Sequence, residues 1–269
     1  MSTRQLSVTI YSFARYFKEG KMDVEGFINY CAQLGVDGVD LGYYWKGDEE
    51  MERARRLLRE KGLGVGYIVG NDFAVASAEA RQKEMDKVKL GIDQAKKLGA
   101  SVVRIFAGNA KEGINYNIAR PWILQCLKDV ASYAGKYGIT LALENHGRLA
   151  GKAEQILDFI HSVDSPYLKA NIDTGNFLGV GEDPVASIKK LAPYASLVHV
   201  KDVKKAGEKS YMSCIVGEGI VDFKAIFTEL KKVGYDGYLS LEYEAQEDNK
   251  IGVERSIKHI KKILQEIKA

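Results

Sequence analysis

The sequence predicts an α/β fold, a single (β/α)8 barrel over residues 1–269, on three observations. Short runs of β-branched and aromatic residues alternate with helical patterns. The alternation returns about every thirty residues, the sequence form of repeated βα units. It does so eight times in 269 residues, the size such a barrel takes. The strand candidates are 6–12, 36–42, 64–70, 101–107, 140–146, 168–174, 196–202 and 237–243. Between them, amphipathic segments stop at glycine after a basic last turn: "DEEMERARRLLREKG" at Gly62, "EMDKVKLGIDQAKKLG" at Gly99 and "DFKAIFTELKKVG" at Gly234. A doubly wound open sheet is the alternative, but no glycine-rich turn follows the first strand. With four prolines and no Pro-rich or Ser-rich linker, nothing divides the chain into domains.

Composition supports a sizeable core, with 46% hydrophobic and 28% charged residues. No apolar run reaches the roughly eighteen residues of a membrane helix, and the amino terminus lacks a secretory pattern, so a cytoplasmic protein with no membrane partner is expected. Cys31, Cys126 and Cys214 are odd in number and far apart, which suits small buried hydrophobes better than disulfides or a cysteine metal cluster. The net charge of +3 forms no basic stripe, which argues against nucleic acid. The closing "KHIKKILQEIKA" reads as the solvated face of a last helix.

In such a barrel the active site sits where the strands end at their carboxyl side. The period of two in "LALENHG" puts Ala142, Glu144 and His146 on one face, with Leu141 and Leu143 on the helix-covered face. It sets Asn171 and Asp173 inward in "LKANIDTGN", His199 and Lys201 in "SLVHVKD", and Ser240, Glu242 and Glu244 in "YLSLEYE". Four successive strands thus offer Glu144, Asp173, His199 and Glu242 to one cavity. Three carboxylates and one imidazole are a borderline-hard set. It suits one divalent ion, Mn²⁺ first, with Mg²⁺, Co²⁺ or Zn²⁺ as alternatives. Each residue alone reads more simply as a cap, a salt-bridge partner or a satisfied histidine; their joint parity is what points to a metal.

The phrases "LALENHG", "NIDTGNFLGVGEDP", "LVHVKDV" and "VGEGIVDFKAIFTELKKVGYDGYLSLEYE" resemble the sugar phosphate isomerase/epimerase family, with its xylose-isomerase-like TIM barrel. Its superfamily includes ketose 3-epimerases, inosose and dehydroshikimate dehydratases and the endonuclease IV type of nuclease. The resemblance covers the second half closely and the first half in rhythm and in phrases such as "VGNDFA". It implies one divalent metal held by Glu144, Asp173, His199 and Glu242, with Glu144 and Glu242 doubling as acid and base. Two departures count against free-ketose 3-epimerisation: Asn176 and Lys205 stand where those epimerases carry a substrate-gripping His and an Arg. Four histidines cannot furnish a three-zinc nuclease site, and His161 and His259 read as helix surface residues.

The expected chemistry is proton transfer beside a carbonyl through a metal-stabilised enediolate, on a small carbohydrate. Return of the proton to the same carbon epimerises, and return to its neighbour isomerises. Loss of a β-hydroxyl, assisted by His146, would make the enzyme a dehydratase on a keto-cyclitol or keto-sugar. A barrel that holds metal without turnover is the non-enzymatic alternative. His146, Lys201, Asn176 and Arg104 are the substrate-binding candidates; for Lys201 a buried salt bridge, and for Arg104 a role in orienting Glu144, are the structural alternatives. Asn71, Asp40 and the run Tyr43-Tyr44-Trp45 suit a sugar-facing wall or packing under a loop. The segment 203–221 reads as a long loop and lid candidate whose lysines suit an anionic substrate, although no glycine-rich phosphate cradle is evident. Apolar helix surface leaves room for a homo-oligomer.

Overall fold

The computed structural model describes residues 6–208 and 210–268; residues 1–5, Lys209 of the lid candidate and Ala269 of the last helical segment lie outside the described residues. The strands are β1 (Leu6–Thr9), β2 (Gly38–Leu41), β3 (Gly64–Ile68), β4 (Val102–Ile105), β5 (Thr140–Glu144), β6 (Leu168–Asp173), β7 (Ala195–Val200), β8 (Asp202–Lys205), β9 (Tyr211–Cys214) and β10 (Leu239–Leu241). Eight of them close a barrel in the order β1-β10-β7-β6-β5-β4-β3-β2, with every neighbouring pair parallel. Helices flank the ring as the βα repeat predicts, from Val24–Leu34 after β2's predecessor to Asn249–Lys268 after β10. The glycine stops hold: Gly62, Gly99 and Gly234 have φ of 66°, 87° and 72°, a region where a Cβ is strained.

Outward residues such as Leu141, Leu143, Val198 and Val200 pack with the helices into one large apolar cluster. Each such side chain taken from water contributes about 1.5–3 kcal/mol. A second, smaller cluster of Val102, Ala142 and Leu197, with Tyr238 against it, fills the barrel interior. Gly38 and Gly64 make room for Tyr238: a Cβ on Gly64 would overlap its hydroxyl, and one on Gly38 would lie 2.8 Å from its ring. Above this plug the inward residues are polar.

Two features depart from the sequence reading. Strands are shorter than the apolar runs: β1 gives way to a 3₁₀ turn at Ile10–Phe13, where the Thr9 hydroxyl accepts from the Tyr11 amide. The segment 203–221 is not an open loop, because β8 and β9 pair as an antiparallel hairpin from Asp202↔Cys214 to Lys205↔Tyr211. The remainder, 215–221, is pinned by the Asp202 carboxylate, which accepts from the amides of Gly217, Gly219 and Val221 at 2.9, 3.0 and 3.3 Å. The three cysteines are buried and free. Among the described residues no helix is long and apolar enough to cross a membrane.

Replacing Gly64 with Ala should destabilise the protein by about 1–3 kcal/mol through overpacking. Tyr238→Phe removes the atom it strikes, so the double variant should recover part of that loss in denaturant titrations. A second expectation concerns Asp158, whose carboxyl is held down to about 2, mainly by the Arg120 guanidinium, with Tyr116 and Ser162 also bonding it. Because its folded value lies below the unfolded one, its stabilisation is present above about pH 4 and is lost as pH falls towards 2. Asp158→Asn should therefore flatten the acid limb of a stability profile, by a modest amount because about a third of both side chains is exposed.

Candidate metal centre

The polar layer above the plug gathers the four predicted ligands at the strand ends. One register shift helps: the β6–β7 pairing slips between Ala170 and Asn171, which brings Asp173 level with His199. One donor atom each from Glu144, Asp173, His199 and Glu242 lies within 4.8 Å of the others, and all four residues are buried. His199 Nδ1 stands 2.8 Å from Glu242 Oε2 and 3.3 Å from Glu144 Oε2. Its Nε2 is 3.9 Å from Asp40 Oδ2, on β2.

Neighbouring groups fix each carboxylate. Glu144 Oε2 accepts from Asn171 Nδ2 at 2.9 Å and lies 3.3 Å from Arg104 Nε; Oε1 accepts from Asn176 Nδ2 at 3.4 Å. Asp173 Oδ1 accepts the amides of Gly175 and Asn176, both at 2.9 Å, which turns Oδ2 into the cavity. Asn145 clamps the Asp173 backbone from both sides, donating to its carbonyl at 3.0 Å and accepting from its amide at 2.7 Å. Lys201 Nζ reaches Asp173 Oδ2 at 3.0 Å, Glu244 Oε2 at 3.1 Å and Glu242 Oε2 at 3.8 Å.

Burial and charge set the protonation states. Burial pushes Asp173 up, to about 7, and the charges of Glu242 and Glu144 add to it while Lys201 opposes. Burial acts the same way on Glu242 and Glu144, but there the cations prevail: Lys201 and His199 hold Glu242 below its ordinary range, and Arg104 and His199 do so for Glu144. For His199, burial works against the imidazolium, yet Glu242 and Glu144 raise it to about 10. Lys201 is likewise kept charged against burial by Asp173, Glu242 and Glu244.

The donor set fits a divalent cation. Asp173 Oδ2, Glu242 Oε2 and both nitrogens of His199 are buried and make no well-directed hydrogen bond, only the ion-pair contacts with Lys201 and with one another, which leaves coordination capacity that another group could complete. Four buried interior carboxylates, Asp40, Glu144, Asp173 and Glu242, face two fixed buried cations, Arg104 and Lys201. With all four carboxylates ionised and His199 neutral, the state that ligation of a cation requires, the imbalance is the charge of one divalent ion.

The other expected residues fall around this centre. Arg104 is buried, ion-paired to Glu144, donates to the Val69 carbonyl at 3.0 Å and lies over the Phe106 ring. Asn176 donates to Glu144 and to the Asn145 carbonyl at 3.1 Å. His146 is half-buried at the rim, its ring 4.7 Å from that of Phe106. Asn71 exchanges two hydrogen bonds with the Phe106 backbone. His161 is exposed and bonds Tyr194, whereas His259 is half-buried beneath Gly217 rather than free on the surface. Three neighbours of the cluster were not assigned to it from sequence, and one of them, Asp40, expected in a sugar-facing wall or packed under a loop, is instead fully buried beside His199. Asp40 behind His199 and Asn171 on Glu144 share the inward parity that marks the ligands. Asn145 has the opposite parity and gave no signal.

A family model for the xylose isomerase-like TIM barrel matches residues 28–263. Fructoselysine 3-epimerase of Shigella flexneri is 23% identical over 242 residues, covering 82% of this chain and 86% of that protein. The 3-dehydroshikimate dehydratase of Bacillus anthracis is 23% identical over 249 residues, covering 84% and 88%. The uncharacterized protein YihM of Escherichia coli is 28% identical over 194 residues, but the match takes in 65% of this chain and only 56% of that protein. Among solved structures, a xylose isomerase-like TIM barrel protein of Mycobacterium smegmatis in complex with magnesium superposes with a TM-score of 0.77 at 18% identity, over 99% of this chain and 98% of that one. The match over most of the chain, on a closed parallel barrel with its ligand cluster at the strand ends, establishes that the chain belongs to the xylose isomerase-like TIM barrel family.

Proposed function

We propose that this protein is a divalent-metal-dependent sugar isomerase or epimerase that moves a proton beside a carbonyl, with Glu144 and Glu242 as the acid/base pair. The observation that carries this reading is the pair itself: two buried carboxylates, both held ionised, converge from the ends of β5 and β10 on one imidazole. Relatives that act as sugar epimerases support the substrate class. Glu144, Asp173, His199 and Glu242 would hold the ion, with Mn²⁺ the first choice for three oxygens and one nitrogen, and Mg²⁺, Co²⁺ or Zn²⁺ compatible. When bound, the ion supplies a Lewis acid.

The protein groups divide the remaining work. Glu242 Oε2 is free of hydrogen bonds and accepts a carbon-bound proton. Glu144, fixed by Arg104, Asn171 and Asn176, takes a proton from solvent and returns it to the reacting carbon, while Glu242 gives up the abstracted proton to solvent. Delivery to the opposite face of the same carbon is epimerisation, and delivery to the neighbouring carbon is isomerisation. The Lys201 ammonium stabilises charge that develops on oxygen, His146 and Asn176 contact substrate hydroxyls, and Arg104 acts through Glu144.

A dehydratase is the second reading, because the dehydratase relative is as similar as the epimerase and His146 stands half-buried at the rim. The first proton transfer is then the same, and His146 protonates a departing β-hydroxyl.

Two measurements test these readings. Purified protein should carry about one equivalent of divalent metal, and chelation should lower Tm by about 5–10 °C if the ion is near a hundredfold its Kd. Failure to bind any divalent ion after reconstitution would refute the centre. In deuterated water the metal-loaded protein should exchange a carbon-bound hydrogen of a ketose, keto-cyclitol or one of their phosphates, and Glu242→Gln should slow this about 10²–10⁴-fold. Exchange that survives in the variant removes Glu242 from the chemistry; enone formation without an exchanged ketose selects the dehydratase.

A further inference from the structure

The metal centre takes up one side of the His199 ring and leaves the other to a residue that the proposed chemistry does not use. Nδ1 looks towards the ligand cluster, 2.8 Å from Glu242 Oε2 and 3.3 Å from Glu144 Oε2. Nε2 looks the other way, and the acid it meets there is Asp40, whose Oδ2 lies 3.9 Å from it. Both side chains are fully buried. Asp40 stands on β2 and His199 on β7, so the contact crosses the interior of the ring.

The barrel makes room for this acid. Asp40 pairs with Gly66 on β3, and a Cβ on Gly66 would stand 2.3 Å from Asp40 Oδ1, closer than any side chain tolerates. The Gly66 backbone is not left-handed, so conformation does not ask for glycine at this position; the carboxylate does. Among the described residues neither Asp40 oxygen makes a well-directed hydrogen bond. Burial pushes the carboxyl up, and His199 leads the groups that oppose it. An acid seated at this cost needs a partner, and the nearest cationic or donor nitrogen recorded for it is His199 Nε2.

A histidine ligates a cation through the lone pair of one ring nitrogen, and its proton then stands on the other, where an acceptor holds the ring in that tautomer. We propose that Asp40 is the positioning residue of the metal centre: it accepts the Nε2 proton of His199, leaves Nδ1 bare towards Glu144, Asp173 and Glu242, and so raises the affinity of the site for its ion. The gap to hydrogen-bond length, about 1 Å, is one that a tilt of the ring or a bridging water spans. The proposal rests on the metal reading above and names how the one nitrogen ligand is prepared. Asp40 itself acts through His199 and touches neither ion nor substrate.

The test is NMR of the imidazole nitrogens in protein labelled with ¹⁵N-histidine and loaded with Zn²⁺, a diamagnetic ion compatible with this donor set, together with Zn²⁺ calorimetry on Asp40→Ala and Asp40→Asn. The chain has four histidines, and His199→Gln assigns the ring of interest by its absence. In the loaded wild type that ring should carry its proton on Nε2 and the ion on Nδ1. Asp40→Ala should weaken Zn²⁺ binding about 10–100-fold, with the Tm of the metal-free protein unchanged or raised, because a buried carboxylate is gone. Asp40→Asn, whose amide oxygen still accepts, should lose less. Zn²⁺ on Nε2, or unchanged affinity in Asp40→Ala, overturns the proposal. Equal losses in the two variants with the wild-type tautomer kept also overturn it, because Asp40 would then act by charge alone. A metal-free Tm that falls along with the affinity overturns it in favour of a role in the fold. A wild-type protein that binds no Zn²⁺, Mn²⁺ or Mg²⁺ refutes the metal reading itself, whereas one that binds through Nε2 refutes only this inference.

Discussion

Uncompensated negative charge inside the barrel is the constraint on which the rest of this structure depends. Asp40, Glu144, Asp173 and Glu242 are buried within one polar layer. Removing carboxylates from water is tolerable only where cations and hydrogen bonds meet them. Arg104 and Lys201 supply the fixed charge, and His199 sits between three of the acids. Without a metal, a proton on His199 offsets part of the remainder, which is why its carboxylate neighbours raise it so far. A divalent cation held by these residues would replace that proton and complete the bare oxygens, so its binding would be coupled to proton release.

The framework around the layer serves its geometry. Below it, Tyr238 and a small apolar cluster close the barrel, and Gly38 and Gly64 give up their side chains to admit the ring. Beside it, Asn145 bonds the Asp173 backbone twice and Asn171 holds Glu144, so the ligands are fixed by neighbouring strands rather than by loops. Above it, the β8–β9 hairpin follows directly from Lys201, and the buried Asp202 carboxylate ties its return segment through three backbone amides. A site built on strands and clamped from both sides holds its donors in place before an ion or substrate arrives.

Proton abstraction beside a carbonyl is common to epimerisation, isomerisation and dehydration, so the proposed carboxylate pair is compatible with either chemistry. The outcome is decided by what delivers the next proton and by which face of the substrate is held. On the proposed reading those decisions fall to the rim, where His146 stands half-buried against Phe106.

The sequence by itself determined the barrel and the identity of the metal-ligand candidates. Both rest on local periodicity: alternation along β5, β6, β7 and β10 fixes which side chains point inward, and the strand ends fix their height. Asp40 and Asn171 obey the same parity, and their roles were legible in principle, but only the folded ring shows that they meet His199 and Glu144. The tertiary structure alone decided the rest. Asn145 acts through backbone groups of a neighbouring strand, a contact without any periodic signature. The hairpin in 203–221 depends on pairing two short, weakly patterned segments, which local propensity does not announce. The stacking of Tyr44 on Phe17 and the bond from Trp45 to the Tyr67 hydroxyl depend on which elements the ring brings together, and the charge balance on which acids share one interior. Distances between strands, burial and net buried charge are properties of the closed ring, and no window along the chain contains them.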